Sequence, residues 1–117
     1  MSDLLSDRQN KNLLFDFYGA LLTEKQRDIF VMRIVDDCSL TEIAKEMGIT
    51  PQAVVDSVKR TFAQLNKYEE TLGMVNKFHN QAQTIEEIKV ALNVLDKAEP
   101  AEISDHVSRI KTLLENL

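Results

Sequence analysis

Ser39-Leu40-Thr41-Glu42-Ile43-Ala44-Lys45-Glu46-Met47-Gly48-Ile49-Thr50-Pro51-Gln52-Ala53-Val54-Val55-Asp56-Ser57-Val58-Lys59-Arg60 is the stretch that decides the fold. Ser39 and Glu42 stand at capping-box spacing, so the Ser39 hydroxyl can accept from the Glu42 amide while the Glu42 carboxylate reaches back. A helix therefore starts at Leu40. Ala44, between Ile43 and Met47 on an apolar face, is small enough to let a second helix cross closely. Gly48 supplies the left-handed conformation that ends the first helix. Ile49 plugs the core from within the turn. Thr50 can cap the next helix, with Pro51 at its first position, where a missing amide hydrogen costs nothing. The pattern predicts a helix-turn-helix. Val54 and Val58 of its second helix face inward, leaving Gln52, Ala53, Val55, Asp56, Ser57, Lys59 and Arg60 at least partly exposed. With the capping Thr50, these are the candidate DNA-binding residues. An ordinary corner between two helices can share any one of these features. Their joint occurrence at the spacing a major-groove helix needs favours the DNA-reading arrangement.

Upstream, Thr23 and Gln26 repeat the capping-box spacing and open a helix through about Val35, whose Ile29, Phe30, Met32 and Ile34 can face the corner. The loop Asp36-Asp37-Cys38 follows. An opening helix over much of residues 4–20 carries Leu13, Leu14, Phe15, Phe17 and Tyr18, a density of large apolar side chains that reads as core rather than as a ligand site. Downstream the helical pattern does not stop at Arg60. Val58, Phe62, Leu65, Leu72 and Val75 continue one stripe, with Gly73 as its one weak point, and predict a rod of about 40 Å reaching Phe78. Thr84 and Glu87 form a further capping-box pair. Ile85, Ile88, Leu92 and Leu95 recur at three-four-three spacing, Glu99-Pro100 marks a turn, and Ile103, Val107, Ile110, Leu114 and Leu117 recur at four-three-four-three. The expected organisation is a helix-turn-helix domain over residues 1–79 and an acidic amphipathic helical hairpin over 80–117, with Ile88, Leu92, Leu95, Val107, Ile110 and Leu114 as its buried seam. That seam can close within the chain or against a second copy.

Length and composition agree with an all-α protein. Of 117 residues only three are Gly and two Pro, and no run alternates long enough for a strand. Cys38 is the one cysteine, so no internal disulfide can form, and Met1-Ser2-Asp3-Leu4-Leu5-Ser6-Asp7 lacks a basic and long apolar signal region. With no apolar run of membrane-spanning length, the expected location is the cytoplasm. Charge opposes simple DNA binding: 14 Lys plus Arg against 19 Asp plus Glu give a net −5. The acidity is uneven, because residues 21–67 hold seven basic and seven acidic residues while residues 68–117 hold five and nine. A neutral reading domain releases few counterions, so a monomer should bind weakly and with strong salt dependence. A homodimer or a partner protein would supply the difference.

Catalytic chemistry finds no support in the residues. His79 and His106 stand alone as expected exposed helix residues, Cys38 has no neighbouring base, and the three glycines are too scattered to cradle phosphate. The reading is no enzyme, no cofactor and no metal.

The run Leu22-Thr23-Glu24-Lys25-Gln26-Arg27, then Phe30, Arg33, Leu40, Glu42-Ile43-Ala44, Gly48-Ile49-Thr50, Val54, Lys59-Arg60 and Leu65, resembles the promoter-reading C-terminal domain of bacterial sigma factors. With Asn12-Leu13-Leu14-Phe15-Asp16-Phe17-Tyr18 and Gln52-Ala53-Val54 included, the chain is more closely similar to the YlxM family, over roughly residues 8–79. Members of that family often carry a basic residue where this chain has Pro51 and a polar or aromatic one where it has Val55. The resemblance implies a sigma-like helix-turn-helix bundle and a DNA-binding regulator. It also implies a link to the signal recognition particle pathway, because such proteins are typically encoded beside genes of that particle. An adaptor that binds the particle or its RNA, without DNA, is the alternative it leaves.

Overall fold

Two of the three capping boxes expected from spacing, Thr23 with Gln26 and Ser39 with Glu42, are formed in the computed structural model, which describes residues 7–117. Among the described residues the chain is built from six α-helices: α1 (Asp7–Tyr18), α2 (Glu24–Phe30), α3 (Leu40–Met47), α4 (Pro51–Leu72), α5 (Met74–Asp96) and α6 (Ile103–Glu115). The all-α class is as expected. Residues 4–6 of the expected opening helix lie outside the described residues. No helix among the described residues is long and apolar enough to cross a membrane. The chain divides into two compact units, one ending at Val75 and the other spanning Asn76–Leu117.

The first unit has two cores. Leu14, Tyr18, Leu22, Phe30, Leu65 and Val75 form one, with Leu13, Phe15, Phe17, Ile34, Phe62 and Tyr68 packed around them. Phe30 is wholly buried there, its ring stacked on Phe15 at 4.8 Å and meeting Phe62 edge-on at 5.2 Å. The aromatic residues of α1 are thus core, as their density indicated. The second core joins Ile29, Ile43, Ala44 and Val54, with Met32, Cys38, Leu40, Met47, Ile49 and Val58 against it. Thr23 stands at the N-cap of α2, accepting from the Gln26 amide at 3.2 Å while its own amide donates to the Gln26 side chain at 3.0 Å. Gln26 then donates to Gln64 at 3.0 Å, and Gln64 to the Tyr68 hydroxyl at 2.8 Å, which ties the start of α2 to the middle of α4. A π-helical turn over Val31–Val35 continues α2 into the loop, where Arg33 Nη1 donates to the Cys38 carbonyl at 2.9 Å.

The continuous rod is corrected. α4 stops at Leu72, 22 residues and about 33 Å from its start, because Gly73 adopts the left-handed conformation (φ 61°) and donates to the Glu69 carbonyl at 2.8 Å. What holds the break is a part-buried polar junction. The Tyr18 hydroxyl donates to Glu69 Oε1 at 2.5 Å and accepts from the Met74 amide at 2.9 Å, while the same Glu69 oxygen accepts from the Val75 amide at 2.9 Å. The first free N–H groups of α5 are therefore satisfied by side chains of α1 and α4. Leu72, expected in the apolar stripe, is 55% exposed, and the stripe instead continues through the buried Thr61 and Leu65 to Val75.

In the second unit the expected helix start at Thr84 is corrected too. α5 runs unbroken from Met74, and the Thr84 hydroxyl donates back to the Asn80 carbonyl at 3.0 Å, as a threonine inside a helix does. With the chain already broken at Gly73 and no Gly or Pro between there and Asp96, nothing stops the helix at residue 83. The seam is only partly as expected. Ile110 is buried and Ile88, Leu95 and Val107 are half-buried, whereas Leu92 and Leu114 are 49% and 52% exposed. Leu113 takes the half-buried position expected of Leu114. His79 and His106 are half-buried rather than exposed, His106 lying 3.8 Å from Glu102 one helical turn earlier.

Candidate nucleic-acid interface

The corner between α3 and α4 forms through the residues its sequence nominated. Ser39 Oγ accepts from the Glu42 amide and Glu42 Oε1 accepts from the Ser39 amide, each at 3.1 Å. Those bonds hold the Glu42 carboxyl below the usual carboxylate range. Gly48 turns the chain at φ 68°, with its amide on the Ala44 carbonyl, and the Ile49 amide donates to that same oxygen at 3.0 Å. Ala44 is buried at the crossing and Ile49 is half-buried against it. Thr50 Oγ1 accepts from the Ala53 amide at 3.1 Å, and Pro51 occupies the first turn of α4. A methyl group added at Gly48 would meet nothing within 4 Å, so Gly48→Ala should cost only the left-handed backbone strain, about 1–2 kcal/mol, read as a lowered urea midpoint.

Of the candidate reading residues, Thr50, Gln52, Asp56, Lys59 and Arg60 are exposed, and Ala53, Val55 and Ser57 are half-buried. At 100° per residue Gln52, Asp56, Lys59 and Arg60 fall on one side of α4, opposite the buried Val54, Thr61 and Leu65. Ala63, Asn66 and Lys67, all exposed, extend that side by two further turns. Gln52 Nε2 donates to Asp56 Oδ1 at 3.1 Å, which orients the amide along the helix surface. Beside this face a cleft of about 310 Å³ is lined by Lys25 and Gln26 of α2, Ile49 of the turn, and Ala53, Asp56, Ser57 and Arg60 of α4. Lys25 was missed in the sequence reading, although its place two residues after the Thr23 cap puts it in the first turn of α2. Lys67 was missed because the face was counted only to Arg60.

Cys38 is half-buried, and desolvation together with the carboxylates of Glu42, Asp36 and Asp37 pushes its thiol up. That environment disfavours the thiolate, and a nucleophile needs the thiolate.

Two packed, capped helices joined by a left-handed glycine, with the outer face of the second one polar and open, define a helix-turn-helix protein. The family model described as "Putative helix-turn-helix protein, YlxM / p13 like" matches residues 5–105. The chain belongs to this family, UPF0122. It is 43% identical to a UPF0122 protein of Halalkalibacterium halodurans over 90 residues, 77% of this chain and 83% of that one. A UPF0122 protein of Exiguobacterium sp. is 40% identical over 113 residues, 97% of both chains. One from Desulforamulus reducens is 39% identical over 106 residues, 91% of this chain and 88% of the relative.

Proposed function

We propose that this protein is a cytoplasmic DNA-binding regulator that lays the outer face of α4 in the major groove and acts without catalysis. The observation that carries the reading is that face itself. Gln52, Asp56, Lys59 and Arg60 are exposed along one side of a helix whose opposite side is buried, at the spacing of a recognition helix. Gln52, in the first turn, can exchange its bond to Asp56 for two bonds to an adenine edge, while Lys59, Arg60 and the neighbouring Lys25 suit phosphates. Asp56 opposes them. Its carboxylate sits on the same face and repels the backbone.

Titration against genomic fragments at several salt concentrations tests this. Gln52→Ala should cost about 1–3 kcal/mol at one base pair and relax preference there. Lys59→Ala should weaken every sequence alike and lower the salt slope by about one unit. Asp56→Ala should tighten binding at low salt, and the gain should fade as salt screens it. If Gln52→Ala and Lys59→Ala both leave binding unchanged at low salt, the major-groove reading fails. The adaptor reading, in which the partner is the signal recognition particle or its RNA, is supported by the family likeness seen in the sequence. A pull-down from lysate with nuclease controls separates the two, because it recovers either promoter DNA or components of the targeting complex.

A further inference from the structure

The exposed Ala63 stands about 180° around α4 from the buried Val54 and so marks the middle of the outward face. Phe62 and Gln64, its neighbours in sequence, fall about 100° to either side of it. Each of these flank residues receives a different helix. On one flank the Lys11 ammonium of α1 lies 4.6 Å from the centre of the Phe62 ring. On the other, Gln26 of α2 donates to Gln64, and the adjacent Lys25 shares a cleft with Arg60. The cations of α4 divide in the same way. Lys59 lies about 40° toward the Lys11 flank, while Arg60 and Lys67 lie about 60° and 40° toward the Lys25 flank. The middle of the face is acidic instead: Asp56 and Glu70, both exposed, lie within about 20° of Ala63.

We propose that Lys11 is a phosphate contact and that the two backbones of a B-form duplex straddle α4, one strand on Lys11 and Lys59, the other on Lys25, Arg60 and Lys67. The pattern of charge selects this ligand. A single strand laid along α4 would bring its phosphates over Asp56 and Glu70, which repel them, and would reach the cations of one flank only. The backbones that border a major groove lie to either side of a helix seated in it, clear of the middle. A helix with its side chains is about 10–12 Å across, and the B-DNA major groove is about 12 Å wide. The deep, narrow major groove of A-form RNA is closed to side chains. The Phe62 ring holds the Lys11 ammonium against α4, which reduces the ordering that a phosphate contact requires. Lys11 also lies outside residues 21–67, whose seven basic and seven acidic residues leave the reading surface neutral, and adds a cation to it. This assignment rests on the major-groove reading of α4 and names the form of nucleic acid that fits it.

Fluorescence anisotropy of the full chain over a range of salt tests it with three probes: the tightest-binding genomic fragment as duplex DNA, one of its single strands, and duplex RNA of the same sequence. Duplex DNA should bind at least about tenfold tighter than either other form. Lys11→Met keeps an apolar stem on Phe62 and removes the charge. It should lower the salt slope on duplex DNA by about one unit, Lys25→Met should do the same, and the double variant should lose about two. Lys11→Arg, which keeps a cation on the ring, should retain the wild-type slope. The slope counts phosphates neutralised, so a loss of packing alone does not move it. If Lys11→Met leaves the slope unchanged while Lys59→Ala lowers it, the straddle is overturned and the major-groove reading stands. Single-stranded DNA or duplex RNA bound as tightly as duplex DNA overturns the choice of ligand. A wild type that binds none of the three probes at low salt overturns the straddle and the major-groove reading together.

Discussion

Phe30→Ala is expected to lower the stability of the helix-turn-helix unit by about 3–5 kcal/mol, the range for removing a fully buried aromatic ring. The ring has no exposed surface, lies flat against Phe15 of α1 and receives the edge of Phe62 of α4. Its loss removes both aromatic pairs and leaves a void where three helices meet. α2 supplies Phe30 to one core and the adjacent Ile29 to the other. The damage should therefore spread to the α3–α4 corner. Urea unfolding followed by circular dichroism should show a midpoint lowered by about 1–5 M at an m-value of about 1–3 kcal/mol/M. Hydrogen exchange should show early opening of α1, α2 and α4 together. A loss below about 1 kcal/mol would mean that the two cores do not depend on one another.

Tyr18→Phe is expected to cost about 1.5–3 kcal/mol, the range for a hydrogen bond to a charged group. The ring would keep its packing in the core. What disappears is the hydroxyl that donates to Glu69 and accepts from the Met74 amide, so the start of α5 loses a cap. The alkaline limb of stability offers a second measurement. Burial, and then the hydrogen bond to Glu69, raise the Tyr18 pKa above its ordinary value of about 10. A raised folded-state value means the stabilisation is fully present below about pH 10 and is lost as pH rises through the folded value. Wild-type stability should fall above pH 10 more steeply than that of Tyr18→Phe. Equal slopes would show that the hydroxyl does not carry the junction.

The corner was legible because each of its parts is a local rule. Ser39, Thr50 and Gly48 act on amides and carbonyls within five residues, so spacing alone placed the caps and the turn. The same holds for Thr23 with Gln26. The outward side of α4 from Gln52 to Arg60 followed from helical periodicity once its start at Pro51 was known. Lys25 was not legible as part of that surface, since only the packing of α2 on α4 brings it to the cleft beside Arg60.

Sequence by itself determined the all-α class, the helix-turn-helix, its caps and the aromatic core helix, because these depend on periodicity and on contacts within a turn or two. Tertiary structure decided where α4 ends. Gly73 alone is only a weak point in a helix, costing about 1 kcal/mol, and it becomes a terminus because Tyr18, 56 residues before Met74, and Glu69 receive the amides that the break exposes. Tertiary structure also decided that α5 passes through Thr84 and that Leu92 and Leu114 stay open while Leu113 turns inward. A capping-box pair works only where the chain is already broken, and an apolar repeat names a stripe without naming what covers it. Both depend on groups that lie far away along the chain, beyond the reach of local spacing.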